Sequence, residues 1–195
     1  MQTMLQIIIS FSERYSIGEM AQMAVEAGAS WLVLSLPGND AGQTREMCAD
    51  VVELCRESGV MLSIENCVES ARELAMHGVF LTDKNISPVK VREELGAEAI
   101  IGAVATTPDA ALTLERADID YVALTKSNPA LIMAVRDAGG QIPVVAYMPD
   151  FEPSPESIAM IKADGFSGLC AGPRFFEKED PVAAISEAIA ILTSL

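Results

Sequence analysis

Five prolines, each directly behind a helix-capping residue, set the strongest limit on what this chain can fold into. The pairs are Ser87-Pro88, Thr107-Pro108, Asn128-Pro129, Ser154-Pro155 and Asp180-Pro181, with prolines 20, 21, 26 and 26 residues apart. A Ser, Thr, Asn or Asp at the N-cap accepts from an orphan backbone N–H, and a following proline has no N–H to leave unpaired. Each pair therefore marks a helix start. Ser16-Ile17-Gly18-Glu19 adds a sixth, because it has the spacing of a capping box.

Between these starts lie short runs rich in β-branched and apolar residues. Strands are predicted near Leu5–Ser10, Ser30–Leu36, Val60–Glu65, Gly78–Leu81, Ala99–Val104, Asp120–Thr125, Ile142–Tyr147 and Phe166–Ala171. Several are apolar almost throughout, as in Ile142-Pro143-Val144-Val145-Ala146, the pattern of a parallel sheet covered on both faces. Helical stretches are amphipathic instead: Met20, Ala21, Ala24 and Val25 can face a sheet while Glu19, Gln22 and Glu26 face water. Eight strand–helix alternations without a long linker predict an α/β chain folded as a single, compact (β/α)8 TIM barrel with short loops, spanning residues 1–195. An open doubly wound sheet is the alternative. It is disfavoured because Ser10-Phe11-Ser12-Glu13-Arg14 stands where a Gly-rich dinucleotide fingerprint would follow the first strand.

Composition narrows the partners. The 195 residues hold 13 Lys+Arg against 28 Asp+Glu, a formal net charge of −15. So acidic a chain lacks the basic footprint that phosphate backbones and anionic lipid surfaces attract, so neither nucleic acid nor membrane is expected as a partner. No apolar stretch approaches the roughly 20 residues of a transmembrane helix. The first residues, Met1-Gln2-Thr3-Met4-Leu5, show no basic signal-peptide start, and Cys48, Cys55, Cys67 and Cys170 form no CxxC pair. The expected setting is the cytoplasm, with the thiols reduced and structural.

A barrel places its chemistry on the loops that follow the strands. Glu65 and Asn66 end the third strand, and Asp83 and Asn85 lie after the fourth. Neighbouring strands would bring these acids and amides together, where they could hold Mg²⁺ or serve as acid and base, or simply cap helices and turns. Lys126 closes the sixth strand and could clamp a phosphate or form a Schiff base. Gly172 and Arg174, after the eighth, suit an anion, although Arg174 could equally pair with Glu177 or Asp180. His77, the only histidine, precedes the fourth strand and so belongs at the opposite end, with a capping or solvated role.

From about Glu65 to Pro181 the order of elements resembles the thiamine-phosphate synthase and thiazole tautomerase family. The resemblance is carried by Gly78-Val79-Phe80-Leu81, Leu95-Gly96-Ala97-Glu98-Ala99-Ile100-Ile101-Gly102 and Ala117-Asp118-Ile119-Asp120-Tyr121-Val122. Ile142-Pro143-Val144-Val145-Ala146 and Ala163-Asp164-Gly165-Phe166 extend it. It implies a transferase of thiamine biosynthesis that joins a hydroxymethylpyrimidine pyrophosphate to a thiazole phosphate, with Mg²⁺ on the pyrophosphate. The partner is then a small phosphorylated molecule, and the resemblance is compatible with a homodimer.

Residue by residue, the family's two metal-binding aspartates match Asn66 and Asn85. The implied metal set is Asn66, Asp83 and Asn85, with Glu65 beside them. Lys126 and Glu65 are the implied catalytic residues, and Asn66, Asp83, Thr106, Gly172 and Arg174 the substrate-binding ones. Ser35-Leu36-Pro37 stands where the family carries cations, and Tyr147-Met148-Pro149 where it carries a phosphate-cradling Gly-Gly. No mouth histidine is found for the tautomerase branch. Two alternatives remain: a barrel without catalysis that binds a small ligand or regulates, and an aldolase using Lys126 as a Schiff base.

Overall fold

The computed structural model describes residues 4–125 and 129–194. The chain alternates β1 (Met4–Ile9), α1 (Ile17–Glu26), β2 (Trp31–Leu34), α2 (Ala41–Ser58), β3 (Met61–Glu65), α3 (Val68–Glu73), β4 (Gly78–Leu81) and α4 (Pro88–Leu95). It continues with β5 (Ile100–Ala105), α5 (Pro108–Glu115), β6 (Tyr121–Leu124), α6 (Pro129–Asp137), β7 (Val144–Tyr147), α7 (Pro155–Ala163), β8 (Gly168–Ala171) and α8 (Pro181–Thr193). The strands pair in parallel in chain order, and β8 returns to β1 through Gln6↔Cys170 and its neighbours. The result is a closed (β/α)8 barrel, and the open sheet is excluded.

The predicted helix starts form through the expected bonds, with one exception. Thr107, Ser154 and Asp180 each accept from a backbone N–H three residues on, and Ser16 forms the full capping box with Glu19. Ser87 makes no side-chain cap bond although Pro88 opens α4, so there the proline alone marks the start. Asn128 lies outside the described residues. Asp40 and Gln43 form a second capping box, which opens α2 and has no counterpart among the predicted starts.

Strand alternation builds two layers. Leu5, Ile7 and Ile9 on β1 point outward to the helices, whereas Gln6 and Ile8 point into the barrel. The inner layer also holds Trp31, Val33, Phe80, Tyr121, Ala123, Val145 and Cys170. Aromatic residues make up only 5% of the chain, yet four of them are in ring contact inside the barrel. Trp31 meets Tyr121 edge-on at 5.5 Å, Phe80 stacks on Tyr121 at 6.1 Å, and Tyr147 closes on Phe80 at 5.1 Å. Gly102 makes room for Tyr121: a Cβ there would lie 2.0 Å from the phenol ring. Trp31 Nε1 donates to Ser63 Oγ at 3.1 Å, and the buried Gln6 amide faces the Tyr121 hydroxyl without a well-aligned bond.

The end away from the mouth is tied down by side chains bonded to backbone. His77 Nδ1 accepts from the Leu62 N–H, and Arg92 donates to the carbonyls of Gly96, Ala97, Ala99 and Asp118. His77, exposed and bonded to the β3 backbone, thus lies at the end remote from the candidate site, as its position before β4 predicts. Among the described residues no helix is long and apolar enough to cross a membrane.

Candidate active site

Parity along β3 decides which way Glu65 points. Met61 and Ser63 face the barrel interior, so Glu65, two residues further, also faces inward and lies at the mouth. Thr82 stands just beyond β4 and donates its hydroxyl to Glu65 Oε1. Asn66, the first residue beyond β3, has a left-handed backbone with φ of +57°, a conformation that Asn tolerates better than most residues. That turn swings its side chain across to the loop after β4. Its Oδ1 accepts from the backbone N–H of Thr82 at 2.8 Å and of Asp83 at 3.0 Å. Its Nδ2 donates to Thr82 Oγ1 at 2.7 Å and, more weakly, to Glu65 Oε1 at 3.5 Å.

Asp83 and Asn85 are committed locally. Asp83 Oδ1 accepts from both the backbone N–H and the Nδ2 of Asn85, each at 2.8 Å, which closes an Asx turn on the exposed loop. The structure thus brings Glu65, Asn66 and Asp83 to one corner as adjacency predicted, and adds Thr82 as the link between them. The Mg²⁺ ligand set implied for Asn66, Asp83 and Asn85 is not matched by their present bonding. The Asn66 oxygen has two lone pairs and both receive backbone N–H groups, a pairing that also fixes which end of the amide is oxygen. No group of three or more His, Cys, Asp or Glu side chains able to hold a metal occurs among the described residues. The donor set does not fit a resident Mg²⁺.

Across the mouth, Tyr147 ends β7 beside Cys170 of β8 in register. Burial raises the Tyr147 phenol well above its ordinary pKa, and the nearby Glu65 carboxylate raises it further. The phenol is therefore a neutral hydrogen-bond donor at physiological pH. Burial, then Glu65, raises the Cys170 thiol as well, which removes it as a nucleophile. Cys48 and Cys55, buried against the helices, are pushed up to about 11. The expectation of structural thiols agrees with this burial.

The remaining candidates are spread around the rim. Thr106 is exposed after β5, while its neighbour Thr107 caps α5. Lys126 lies outside the described residues. Gly172 is buried against β1, and a Cβ on it would come 2.1 Å from the Ile8 carbonyl oxygen. Close packing thus accounts for this glycine. Arg174 pairs with Glu177 at 2.9 Å, one of the two local partners foreseen for it. Lys178 pairs with Glu152, and Arg14 donates to the carbonyls of Glu177 and Lys178.

Among the described residues, two of the cavities at this end lie between βα loops. One of about 370 Å³ lies between the loops after β1 and β8, beside Phe11, Arg14 and Phe176. The other, about 210 Å³, lies between the loops after β2 and β3 and is lined by Ser35, Asn39, Glu65 and Asn66. The smaller one contains the strand-end chemistry, and Glu65 is the charged group in its wall. Sequence reasoning missed Thr82 and Tyr147 as members of the site. The strand parity of Tyr147 was visible, but its contact with Phe80 requires barrel closure.

A closed barrel with Glu65, Asn66, Thr82 and Asp83 at its C-terminal strand ends defines the class: a (β/α)8 protein. The family model for thiamine monophosphate synthase matches residues 6–138, and the chain belongs to that family. The match takes in the first two units, beyond the Glu65–Pro181 stretch where the resemblance was read. A thiamine-phosphate synthase of Bacteroides thetaiotaomicron is 28% identical, with 92% of each chain covered. One of Natronomonas pharaonis is 30% identical over 76% of this chain and 79% of its own. In architecture the chain is similar to a thiamine phosphate pyrophosphorylase from Pyrococcus furiosus, with a TM-score of 0.85 over 97% of this chain and 95% of that one. At 19% identity that likeness shows the fold.

Proposed function

We propose that the chain is a thiamine-phosphate synthase-type transferase of thiamine biosynthesis, joining a hydroxymethylpyrimidine pyrophosphate to a thiazole phosphate at the barrel mouth. Family membership across residues 6–138 carries the reading. The strand-end position of Glu65, Thr82, Asp83 and Thr106 supports it. In this reaction a carbon–nitrogen bond forms as the carbon–oxygen bond to pyrophosphate breaks, and pyrophosphate leaves. The protein's part is to hold the two substrates in line and dry.

Glu65 and Tyr147 supply an acceptor and a neutral donor facing the mouth, suited to orienting a heterocyclic ring. Thr106 and Lys126 are the candidates for phosphate contact, and Arg174 joins them by exchanging Glu177 for an anion. Gly172 lends backbone rather than a side chain. Relative to the family pattern, the activity has diverged where amides replace carboxylates at residues 66 and 85.

Product formation from the two precursors, followed by mass spectrometry with and without Mg²⁺, tests the assignment. Lys126→Ala is expected to lower turnover by about tenfold or more, the scale of a lost charge-assisted phosphate contact. Absence of product from folded protein overturns the assignment. A second reading, a barrel that binds its ligand without turnover, is favoured by the Arg174–Glu177 pair and the occupied Asn66 oxygen. Ligand binding without product would select it. The aldolase alternative requires a borohydride-trapped adduct on Lys126 with a pyruvate-like compound.

A further inference from the structure

We infer that the corner between β3 and β4 is a metal-free clamp: Asn66 ties the two loops together, and Thr82 passes that tie to Glu65, holding its carboxylate toward the mouth. Both amide ends of Asn66 are used. The oxygen takes the Thr82 and Asp83 N–H groups at 2.8 and 3.0 Å, and the nitrogen gives a proton to Thr82 Oγ1 at 2.7 Å. The hydroxyl of Thr82, having accepted from Asn66, has its own proton left for Glu65 Oε1. The direction of the relay is thereby set from amide to hydroxyl to carboxylate. An aspartate at residue 66 would keep the two backbone bonds and lose the donor. Thr82 would then face two carboxylates with one proton, and Glu65 would lose its hold.

Asn85 follows the same logic one loop further on. Its Nδ2 is spent on Asp83 Oδ1, which also takes the Asn85 N–H, so that oxygen already accepts two hydrogen bonds. A divalent cation must displace backbone donors to reach Asn66 and amide donors to reach Asp83 Oδ1. Neutral amide oxygens return little for that loss, because hard cations favour carboxylates and water. Asn66 and Thr82 are positioning residues here, and Glu65 is the group presented to a ligand, as an acceptor for N–H or O–H donors. The clamp stands on loop geometry and does not depend on the synthase assignment.

Titration of the purified full chain with Mn²⁺, followed by the electron paramagnetic resonance signal of the free ion, is the test. Thermal unfolding with and without Mg²⁺ runs beside it. The native chain is expected to leave the Mn²⁺ signal as in buffer and to unfold at the same temperature with or without Mg²⁺. The Asn66→Asp/Asn85→Asp double variant is expected to take up one Mn²⁺ per chain, at least about tenfold more tightly, and to gain Tm with Mg²⁺. Such a gain cannot arise from misfolding. Should the double variant fold poorly, Asn85→Asp alone, on an exposed loop, is read the same way for a smaller gain. One Mn²⁺ bound per native chain and released by Asp83→Asn would overturn the inference. Failure of both aspartate variants to gain metal would overturn it too. No substrate enters these measurements, so their failure is separate from failure of the synthase assignment, which is judged by turnover.

Discussion

After β3 and β4 the mouth is tied by hydrogen bonds among half-buried groups that end on the Glu65 carboxylate. After β7 and β8 it is closed by ion pairs on the surface and by one glycine packed on β1. In the first corner, Asn66 accepts from two backbone N–H groups and Thr82 links it to Glu65. In the second, Arg174 pairs with Glu177, Lys178 pairs with Glu152, and Gly172 presses against the Ile8 carbonyl. The first kind of tie holds because its donors have no comparable partner when it is cut. The second kind of ion pair competes with water and salt at every moment, so its arginine remains exchangeable for a ligand. The difference separates residues that shape the mouth from residues free to bind something in it.

Cutting the first corner should have the largest effect. Asn66→Ala removes four hydrogen bonds, the one to Glu65 being weak, and puts a residue without a polar side chain at φ of +57°. A loss of about 2–3 kcal/mol in denaturant unfolding is expected. A change within error would show that solvent replaces the clamp. Next in size is the packed element of the second corner. Gly172→Ala drives a Cβ to within 2.1 Å of the Ile8 carbonyl oxygen and should cost about 1–3 kcal/mol, whatever the salt concentration.

The ion pairs come last. Arg174→Ala should leave Tm unchanged in both about 0.1 M and about 1 M NaCl, while weakening binding of a phosphorylated ligand. The Lys178 hydrogen bond holds the Glu152 carboxyl below its ordinary value, so this tie is complete above the ordinary carboxylate pKa. It is lost as pH falls through the lowered folded value. Amide exchange in the loop after β7 should therefore quicken on acidification. Equal quickening after β3 and β4 under the same conditions would erase the contrast between the corners.

Much of the barrel was legible because its signals are local. A capping residue and the proline behind it act within one turn, so Thr107, Ser154 and Asp180 could be recognised without knowing what the helix packs on. Strand positions follow from runs of four to seven residues in the same way, and His77 was placed at the far end by its position before β4. The site was legible only as neighbours. Adjacent strands bring Glu65 and Asp83 together, but nothing in the spacing says that the Asn66 oxygen is taken by Thr82 and Asp83, 16 and 17 residues on. Similarly, the Asp40–Gln43 box is absent from the predicted helix starts, because Asp40 with Gly38 and Gly42 around it suits a turn equally well.

Sequence alone determined the eight-unit alternation, the starts of most helices, the net charge of −15 and the family resemblance. These depend on residue types and short separations, which a linear chain displays. Tertiary closure decided the rest. It set Trp31, Tyr121, Phe80 and Tyr147 in ring contact from four strands, and Gly102 became the space that Tyr121 needs. It also turned Asn66 from a candidate ligand into a tie between loops. The physical reason is that a hydrogen bond is satisfied by geometry in three dimensions, and an amide's partners are chosen only when the strands beside it are in register.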